Sequence, residues 1–447
     1  MPSRMSGQSL PSFGALLCAA FVAIASAAAS AADYSVSYDP YAGVDWGTTL
    51  RCQSQHHDHA ESYGRITALD DAGYCAVTFM TYSGRFRASN LSEWNAAGNP
   101  NPDPGKPVGF GPPRRWPAED FGAPPLPLAN LKFYLPGAEE IGLYASGSYG
   151  QHVQSTFLTT YIEGGGCIAC GIGGIPVVGN TPAMPPSQVH ASSQELIDRV
   201  VENGGHATIN HPAGAPSAYT QFSGIGSVEM FNNYHRNADD FAGNDAYSNQ
   251  MMLIWDHLLE HKSPRIWGIA SNDWFSAWTP LGQTYSSTQF GPVTPQNRDR
   301  GKLLVLLPSY DLESYRAAFE AGAFFAIVED NAIKAAYPIV TDIAVSHDRI
   351  AISTAIGTES IRWIGNGSVL AYTPTLVLDG LPEGLVYVRA EISDGEGRTV
   401  YTQPFSLGDP LPPGPAIPAM SRGALVCLAL LLLAAVSLRC TWIDRST

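Results

Sequence analysis

Residues 195–212, ELIDRVVENGGHATINHP, decide more about the fold than any other stretch of the sequence. A capping box that begins at Ser192 predicts a helix, and Gly204 suits the left-handed residue that ends one. Ala207–Asn210 then forms a short apolar strand that leads directly into His211. A helix followed closely by a buried strand is the repeating unit of an α/β domain.

The same alternation extends to both sides of this stretch, from about Asp45 to Asp330. The predicted strands are Thr48–Gln53, Cys75–Tyr82, Leu131–Leu135, Gln151–Tyr161, Ala207–Asn210, Val228–Phe231, Ile266–Ala270, Leu303–Leu307 and Phe324–Ile327. The predicted helices are Ile66–Ala72, Ser192–Asn203, Ala246–His261 and Leu312–Ala321. Strands and helices at such short intervals predict parallel strands in a β/α domain.

The sequence changes character after this region. Between Pro338 and Leu407, short runs of alternating apolar and polar residues are separated by Gly, Asp and Asn turns. This pattern predicts a small antiparallel β-sandwich with a structural or adhesive role, packed against the first domain.

Composition restricts the class of protein. The chain has 447 residues, which suggests two or three domains, and 45% hydrophobic residues are enough for a large core. This excludes wholesale disorder, collagen, a coiled coil and a polytopic membrane protein. Lys and Arg number 25 against 40 Asp and Glu, a net charge of −15. Nucleic acid is therefore not expected as a partner, because phosphate backbones require clustered cations.

The amino terminus has the pattern of a secretory signal peptide, predicted over residues 1–32. Arg4 provides the positive start, Phe13–Ile24 the apolar stretch and Ala25–Ala32 the small residues that suit cleavage. The alternative is a first transmembrane helix, but the apolar stretch is too short for one.

The carboxyl terminus is also patterned, with a Pro-rich linker predicted over 410–422 and an apolar helix with a basic end over 423–447. The apolar run Gly423–Leu438 lies between two arginines, and Ile417–Met420 precedes it. The segment resembles the short sorting signals of Gram-negative bacteria; the alternative is a permanent single-span anchor. Either predicts an exported protein, periplasmic or at the cell surface, associated with the membrane through this helix.

Four cysteines lie between the two end segments: Cys52, Cys75, Cys167 and Cys170. An even count in an oxidising compartment favours disulfides. A local Cys167–Cys170 bridge is favoured over half a zinc ribbon or a redox pair. Cys52 and Cys75 flank the first two predicted strands, which are expected to be neighbours, so a bridge between them is plausible.

Histidines and carboxylates cluster near the ends of the predicted strands. His57 and His59 follow the first strand, and His152 opens a later one. His211 and Asp273 close two others. In β/α barrels the carboxyl ends of the strands form the active site. Imidazoles and carboxylates gathered there are ligands that divalent transition metals prefer.

In this order the motifs resemble the polymerase-and-histidinol-phosphatase (PHP) family of metal-dependent phosphoesterases, over roughly residues 48–330. The matching motifs are His57-Asp58-His59, DAGYCAVTFM with Thr78, Gly137–Glu139, His152, ELIDRVVENGGHATINHP, GIGSVEMFN with Gly224, Val228, Glu229 and Asn232, Trp255–Leu259, Asp273 and AFEAGAFFA. No motif is decisive alone; their order and spacing carry the resemblance.

The resemblance implies a distorted β/α barrel over residues 33–334, followed by the β-sandwich over 335–409. It also implies two divalent metal ions, Zn, Mn or Fe. One would be held by His57, His59, Glu139 and Asp273. The second would be held by Glu139, His152 and His211, with Glu139 bridging. A water activated by both metals would then be the nucleophile, with no separate catalytic base.

The sequence departs from the family pattern at three places. Phe79-Met80 replaces an Asp-His pair, Phe275 replaces a histidine, and Ala60 replaces a threonine. In the family the lost histidines serve mainly a third metal, so both losses fall on one site. We interpret the remainder as a two-metal site with a more apolar rim.

The sequence thus predicts an exported phosphoesterase-like hydrolase that acts on a small phosphate ester or a glycan-linked substrate. The alternative is a catalytically inactive PHP-like scaffold that serves as an envelope or glycan-binding surface protein. His235, Arg236 and Trp274 are candidates for contact with the substrate, or else ordinary loop positions.

Overall fold

The computed structural model of the protein describes residues 31–57, 69–78, 128–135, 137–143, 149–157, 193–232, 246–273, 300–329, 337–357, 359–394 and 397–408. Residues 1–30 of the predicted signal peptide, residues 79–127, Cys167, Cys170 and the carboxyl-terminal segment from 409 onwards lie outside these ranges. None of the helices within these ranges is long and apolar enough to cross a membrane.

Strands dominate the described residues. The first twelve are β1 (Ala31–Asp33), β2 (Val36–Tyr38), β3 (Leu50–Gln55), β4 (Ala76–Thr78), β5 (Phe133–Leu135), β6 (Gly137–Leu143), β7 (Tyr149–Thr156), β8 (His206–Ile209), β9 (Ser227–Asn232), β10 (Trp267–Ser271), β11 (Gly301–Leu307) and β12 (Phe324–Glu329). The helices among them are α1 (Ser193–Glu202), α2 (Ala246–His261) and α3 (Leu312–Glu320), with a 3-10 turn at Pro216–Ala218. The remaining strands are β13 (Val340–Val345), β14 (Arg349–Thr354), β15 (Ser360–Gly365), β16 (Ser368–Ala371), β17 (Thr375–Val377), β18 (Asp379–Pro382), β19 (Tyr387–Ser393), β20 (Arg398–Thr402) and β21 (Phe405–Leu407).

The fold is mixed α/β, with a curled half-barrel sheet and additional sheets. One sheet has the order β10-β9-β8-β7-β6, and part of a larger one has the order β12-β11-β3-β4-β5. Parallel pairing is present in β3-β4-β5 and in β8-β9-β10. A closed TIM-like barrel is not confirmed, because the described strands from β3 to β12 are divided between two hydrogen-bonded sheets and do not form one ring.

Parallel pairing was predicted throughout this region, and that prediction is wrong for four pairs of strands. β6 and β7 pair antiparallel, as do β7 and β8, and β11 is antiparallel to both β3 and β12. The short connection between β6 and β7 requires this, because a parallel pair needs a long crossover. The strand–helix–strand pattern of β11, α3 and β12 does not by itself show whether two strands run parallel or antiparallel. Their relative direction depends on which strands become neighbours in the sheet.

The carboxyl-terminal strands pair antiparallel, as the alternating pattern predicted. β20 pairs with β12, so the larger sheet continues through β20-β19-β15-β16. β13, β14 and β17 form a separate three-stranded sheet. The domain boundary at residue 335 remains a prediction. Strand β12, which precedes this residue, and strand β20, which follows it, pair in the same sheet.

Strand β11 separates two hydrophobic cores. Its alternate residues Leu303, Val305 and Leu307 belong to the core of the half-barrel. Leu304 and Leu306 face the core shared with the carboxyl-terminal strands. Every residue of β11 is buried, as expected for a strand covered on both faces.

A buried ion pair connects α2 to β19. Arg389 Nε and Nη2 each lie 2.9 Å from an oxygen of Asp256, and Nη1 lies 2.6 Å from Glu391 Oε1. Tyr387 donates a hydrogen bond of 2.8 Å to the same aspartate, and the guanidinium lies over the Trp255 ring. The charged groups therefore satisfy one another where the helix meets the sheet.

Two close contacts join neighbouring strands in this part of the fold. Cys52 and Cys75 are joined by a disulfide in the structure, with their Cα atoms 5.4 Å apart. Gly301 opens β11 so close to β10 that an added Cβ atom would lie 2.3 Å from the Ser271 carbonyl oxygen. A side chain at this position would push β11 away from β10, close to Asp273.

Candidate metal centre

The strand ends bring four of the predicted ligands to one edge. His57, His211 and Asp273 are each the second residue after a strand, following β3, β8 and β10 respectively. His152 lies near the start of β7, which is antiparallel to β8, so that it reaches the same edge. These four residues lie far apart in the sequence, and only the order of the strands makes them neighbours.

His57 lies between two carboxylates. Its Nδ1 atom is 2.7 Å from Glu229 Oε1, and its Nε2 atom is 3.2 Å from Asp273 Oδ1. The backbone supports this arrangement, because the Asp273 N–H donates to the His57 carbonyl oxygen over 2.8 Å. All three side chains are almost fully buried.

His152 and His211 form the second half of the cluster. Their ring centroids are 4.7 Å apart in an edge-on arrangement, and the His211 ring lies 5.9 Å from that of His57. The Asn210 N–H donates to the His152 carbonyl oxygen. Tyr219 stabilises the loop after His211, because its hydroxyl donates to Ala213 O and accepts from Ala213 N.

Glu229 is the central residue that sequence reasoning did not select as a site residue. It is fully buried and accepts hydrogen bonds from four groups. The donors to Oε1 are His57 and the Ser271 hydroxyl, and those to Oε2 are the His211 N–H and Asn232. The signal was present in the sequence, because a glutamate inside an otherwise apolar strand is a carboxylate that must find partners.

The charges around Glu229 decide its ionisation. Burial alone raises the pKa of a carboxyl group. His57 and His211 nevertheless hold the pKa of Glu229 below its usual value, against the opposing charge of Asp273. The direction of this shift favours the carboxylate form of Glu229, which accepts a hydrogen bond from Nδ1 of His57.

Two residues of the cluster also have an unusual backbone conformation. Among the described residues, four other than glycine have a positive φ angle, and two of these are His211 at 28° and Asp273 at 48°. Such conformations are uncommon for side chains other than glycine and concentrate at functional sites. Both strained residues are members of the cluster.

Other predicted site residues are only partly located. Glu139 lies within β6, where its backbone is in register with Gln154 of β7, while its side chain lies outside the described part. Four ligand or contact candidates lie outside the described residues: His59, His235, Arg236 and Trp274. The positions that depart from the family pattern, Ala60, Phe79, Met80 and Phe275, also lie outside them. Sequence reasoning also missed β6, because it treated Gly137–Glu139 only as a motif.

The spacing of donor atoms fits a divalent metal ion. If Nδ1 of His57 donates to Glu229, its Nε2 and Asp273 Oδ1 are two acceptors that face each other at 3.2 Å. Two acceptors this close require a proton or a cation between them. Zinc ligands at about 2.0–2.2 Å from one ion are separated by about 3.0–3.4 Å at ordinary angles. Carboxylate support of the other ring nitrogen is the usual second contact of a metal-binding histidine.

The described part of the chain does not contain a complete ligand group. No set of three or more His, Cys, Asp or Glu side chains within it converges tightly enough to hold a metal. It contains two pairs instead, His57 with Asp273 and His152 with His211. The predicted partners that would complete each pair, His59 and Glu139, are those whose side chains lie outside the described residues.

A second buried histidine, His56, immediately precedes His57 in the chain. His56 stacks on Phe319 at 4.2 Å, and its Nε2 atom lies 2.8 Å from the Tyr315 hydroxyl. His206 contacts the same phenylalanine edge-on at 4.9 Å. Within the described residues Nδ1 of His56 has no hydrogen-bond partner, so a proton added there finds no acceptor.

The lowered pKa values of His56 and His206 lead us to expect that the protein loses stability in mild acid. Burial, with the neighbouring His206, lowers the pKa of His56 to about 3, and burial with Arg316 lowers the pKa of His206 to about 4. The unfolded chain protonates both near pH 6.5, so it binds more protons than the folded state below that pH. We expect the free energy of unfolding in urea to be constant above about pH 7. Below about pH 6.5 it should fall by up to about 1.4 kcal/mol per pH unit for each imidazole.

The matched variant for this measurement is His206→Gln, which removes one of the two titrating groups. Its free energy of unfolding should depend about half as steeply on pH between 6.5 and 5. Equal stability of the wild type at pH 7 and pH 5 would contradict the assignment of both rings as neutral in the folded state.

Comparison with known proteins finds only distant structural similarity. No protein-family model and no curated protein matches the chain. The chain is similar to the crystal structure of a two-domain protein from Bacteroides vulgatus containing a predicted PHP-like metal-dependent phosphoesterase. The identity is 12% and the TM-score 0.35, over 83% of this chain and 98% of that chain. A similarity of this size assigns neither a family nor an activity to this chain.

Proposed function

We propose that the protein is a metal-dependent hydrolase that cleaves a phosphate ester. The observation that carries the proposal is His57, a buried imidazole with each ring nitrogen against a different carboxylate. One of these contacts has the geometry of a supporting hydrogen bond. The other has the separation of two ligands of one ion.

The proposed ligands are the six residues named by the sequence. His57, His59, Glu139 and Asp273 would hold one ion, and Glu139, His152 and His211 the other. Two divalent ions supply Lewis acidity and an activated water, which is the chemistry needed to hydrolyse a phosphate ester. Glu229 is assigned a supporting role, because all four of its donors are protein groups.

The residues of the chain would prepare the site in two ways. A hydrogen bond to Glu229 would keep the proton of His57 on Nδ1 and leave Nε2 available as a ligand. A hydrogen bond from the Asp273 N–H to the His57 carbonyl oxygen joins the chain just after β10 to the chain just after β3. The distance between the two ligands therefore does not depend on flexible side chains alone.

Export and attachment to the membrane are part of the same proposal. They are supported by the residue patterns at the two ends of the chain, the apolar stretch Phe13–Ile24 and the run Gly423–Leu438. The proposed substrate is a small or glycan-linked phosphate ester rather than a nucleic acid, in keeping with the net charge of −15.

The metal content of the purified protein tests the proposal. Protein prepared without chelators should contain about two transition-metal ions per chain, following the two-metal arrangement. His57→Ala should lose at least one of them, while His347→Ala, at an exposed position between β13 and β14, should lose none. A metal-free wild-type protein would refute the proposal.

Activity separates the proposed hydrolase from the alternative of an inactive scaffold. Hydrolysis of small phosphomonoesters and phosphodiesters should disappear on chelation and return with added metal. A protein with full metal content that hydrolyses no member of a broad panel would favour the glycan-binding or envelope role.

A further inference from the structure

We propose that Asn232 is a positioning residue that sets which carboxylate oxygens of Asp273 and Glu229 face His57. The proposal rests on the proposed metal-binding function and extends it to a residue outside the ligand set. Asn232 is fully buried at the end of β9, and its carboxamide contacts both carboxylates.

The hydrogen bonds of the carboxamide define the role. The Nδ2 atom of Asn232 lies 3.0 Å from Glu229 Oε2 and 3.1 Å from Asp273 Oδ2. One amide group therefore donates to both acids. With these two oxygens occupied, Oε1 of Glu229 and Oδ1 of Asp273 are the atoms that face the His57 ring.

A strand irregularity makes this contact possible. In a regular strand, residues three apart point to opposite faces of the sheet. The register between β9 and β10 shifts after the pair Glu229–Ile269, so that Phe231 pairs with Ala270 and Met230 is an extra residue. A bulge of this kind re-aims side chains and is common beside active sites. Here it turns Glu229 and Asn232 towards the same side.

The Asn232 carboxamide is suited to this position because it is uncharged and its NH₂ group donates two hydrogen bonds. Two buried carboxylates repel each other, and hydrogen-bond donors to their oxygens offset part of the cost of burying them. An aspartate at position 232 would add a third negative charge and remove both donors. A leucine would keep the volume and remove the donors without adding charge.

Asn232→Leu tests the proposal directly. We expect it to lower the affinity for Zn²⁺, measured by competition with a chromophoric chelator, about 10- to 100-fold, as loss of a supporting contact usually does. Asn232→Ser, which keeps a single hydroxyl donor, should lose less affinity than Asn232→Leu. It also provides the measurement if the leucine variant does not fold.

The control removes a buried amide elsewhere in the sheet. Gln403 exchanges two hydrogen bonds with the backbone of Gly268, at the opposite part of β10 from Asp273. Gln403→Leu should lower the thermal unfolding temperature to a similar extent but keep the wild-type affinity for Zn²⁺. If Asn232→Leu keeps an affinity within twofold of wild type, or if Gln403→Leu loses as much, the positioning role is overturned.

Metal-free protein distinguishes failure of this proposal from failure of the proposed function. The ring ¹⁵N shifts of His57 report its tautomer and its contact with Asp273 without any metal. They should change in Asn232→Leu and remain unchanged in Gln403→Leu. A wild type that binds no Zn²⁺ would refute the metal site, and unchanged His57 shifts in Asn232→Leu would refute the role of Asn232.

Discussion

Replacing Glu229 by glutamine is expected to lower the affinity of the proposed metal site by about 10- to 100-fold while the protein remains folded. The side chain keeps its size, but one oxygen that accepted two hydrogen bonds becomes an NH₂ group. If this group faces the His57 ring, the ring must accept at Nδ1 and carry its proton on Nε2. The nitrogen proposed as a metal ligand would then be blocked.

The measurement is a titration with Zn²⁺ together with ¹⁵N spectra of the metal-free variant, which show the tautomer of His57. Glu359→Gln is the matched control, because Glu359 accepts a hydrogen bond from Thr354 in the carboxyl-terminal strands. It should leave both the affinity and the His57 tautomer unchanged. Wild-type affinity in Glu229→Gln would show that this glutamate does not govern His57.

Replacing Arg389 by methionine is expected to lower the free energy of unfolding by about 3–5 kcal/mol, the usual cost of breaking a buried pair. Burial opposes the charge on Arg389, but Asp256 and Glu391 raise the pKa of its guanidinium above the ordinary value. The side chain is only 2% exposed. Methionine fills the space and leaves Asp256 with a single described donor, Tyr387, for a buried carboxylate.

Unfolding in urea measures this loss, and two further variants identify its cause. Arg349→Met breaks an exposed pair with Asp348 and should leave the free energy of unfolding nearly unchanged. Adding Asp256→Leu to Arg389→Met removes the isolated charge and should restore much of the stability. A double variant as unstable as the single one would mean that packing, rather than the unpaired carboxylate, causes the loss.

Local sequence patterns were sufficient for most of the secondary structure. The bounds predicted for α2 agree with the structure at both ends, and those for α1 differ by one residue at each end. Strand β3 begins two residues later than predicted and ends two residues later. Apolar periodicity and capping residues act within one or two turns of a helix, so they can be recognised without knowledge of the fold.

The sequence was less informative about strand pairing and about contacts between residues that are distant in the chain. β6 was missed and antiparallel pairing of β11 was not predicted, because both depend on which strands lie side by side. The same holds for Glu229, whose partner His57 is 172 residues away in the chain. In the sequence it is a glutamate in an apolar strand, without any indication of which group it meets.

The sequence by itself determined the residue types at the strand ends, and so the chemistry proposed for the site: imidazoles and carboxylates suited to divalent metal. The tertiary structure decided the relations among them. It placed His57 between Glu229 and Asp273, and a bulge in β9 turned Asn232 towards both acids. The physical reason is that ligand chemistry belongs to individual side chains, whereas a distance of 3.2 Å between residues of different strands depends on sheet order and register.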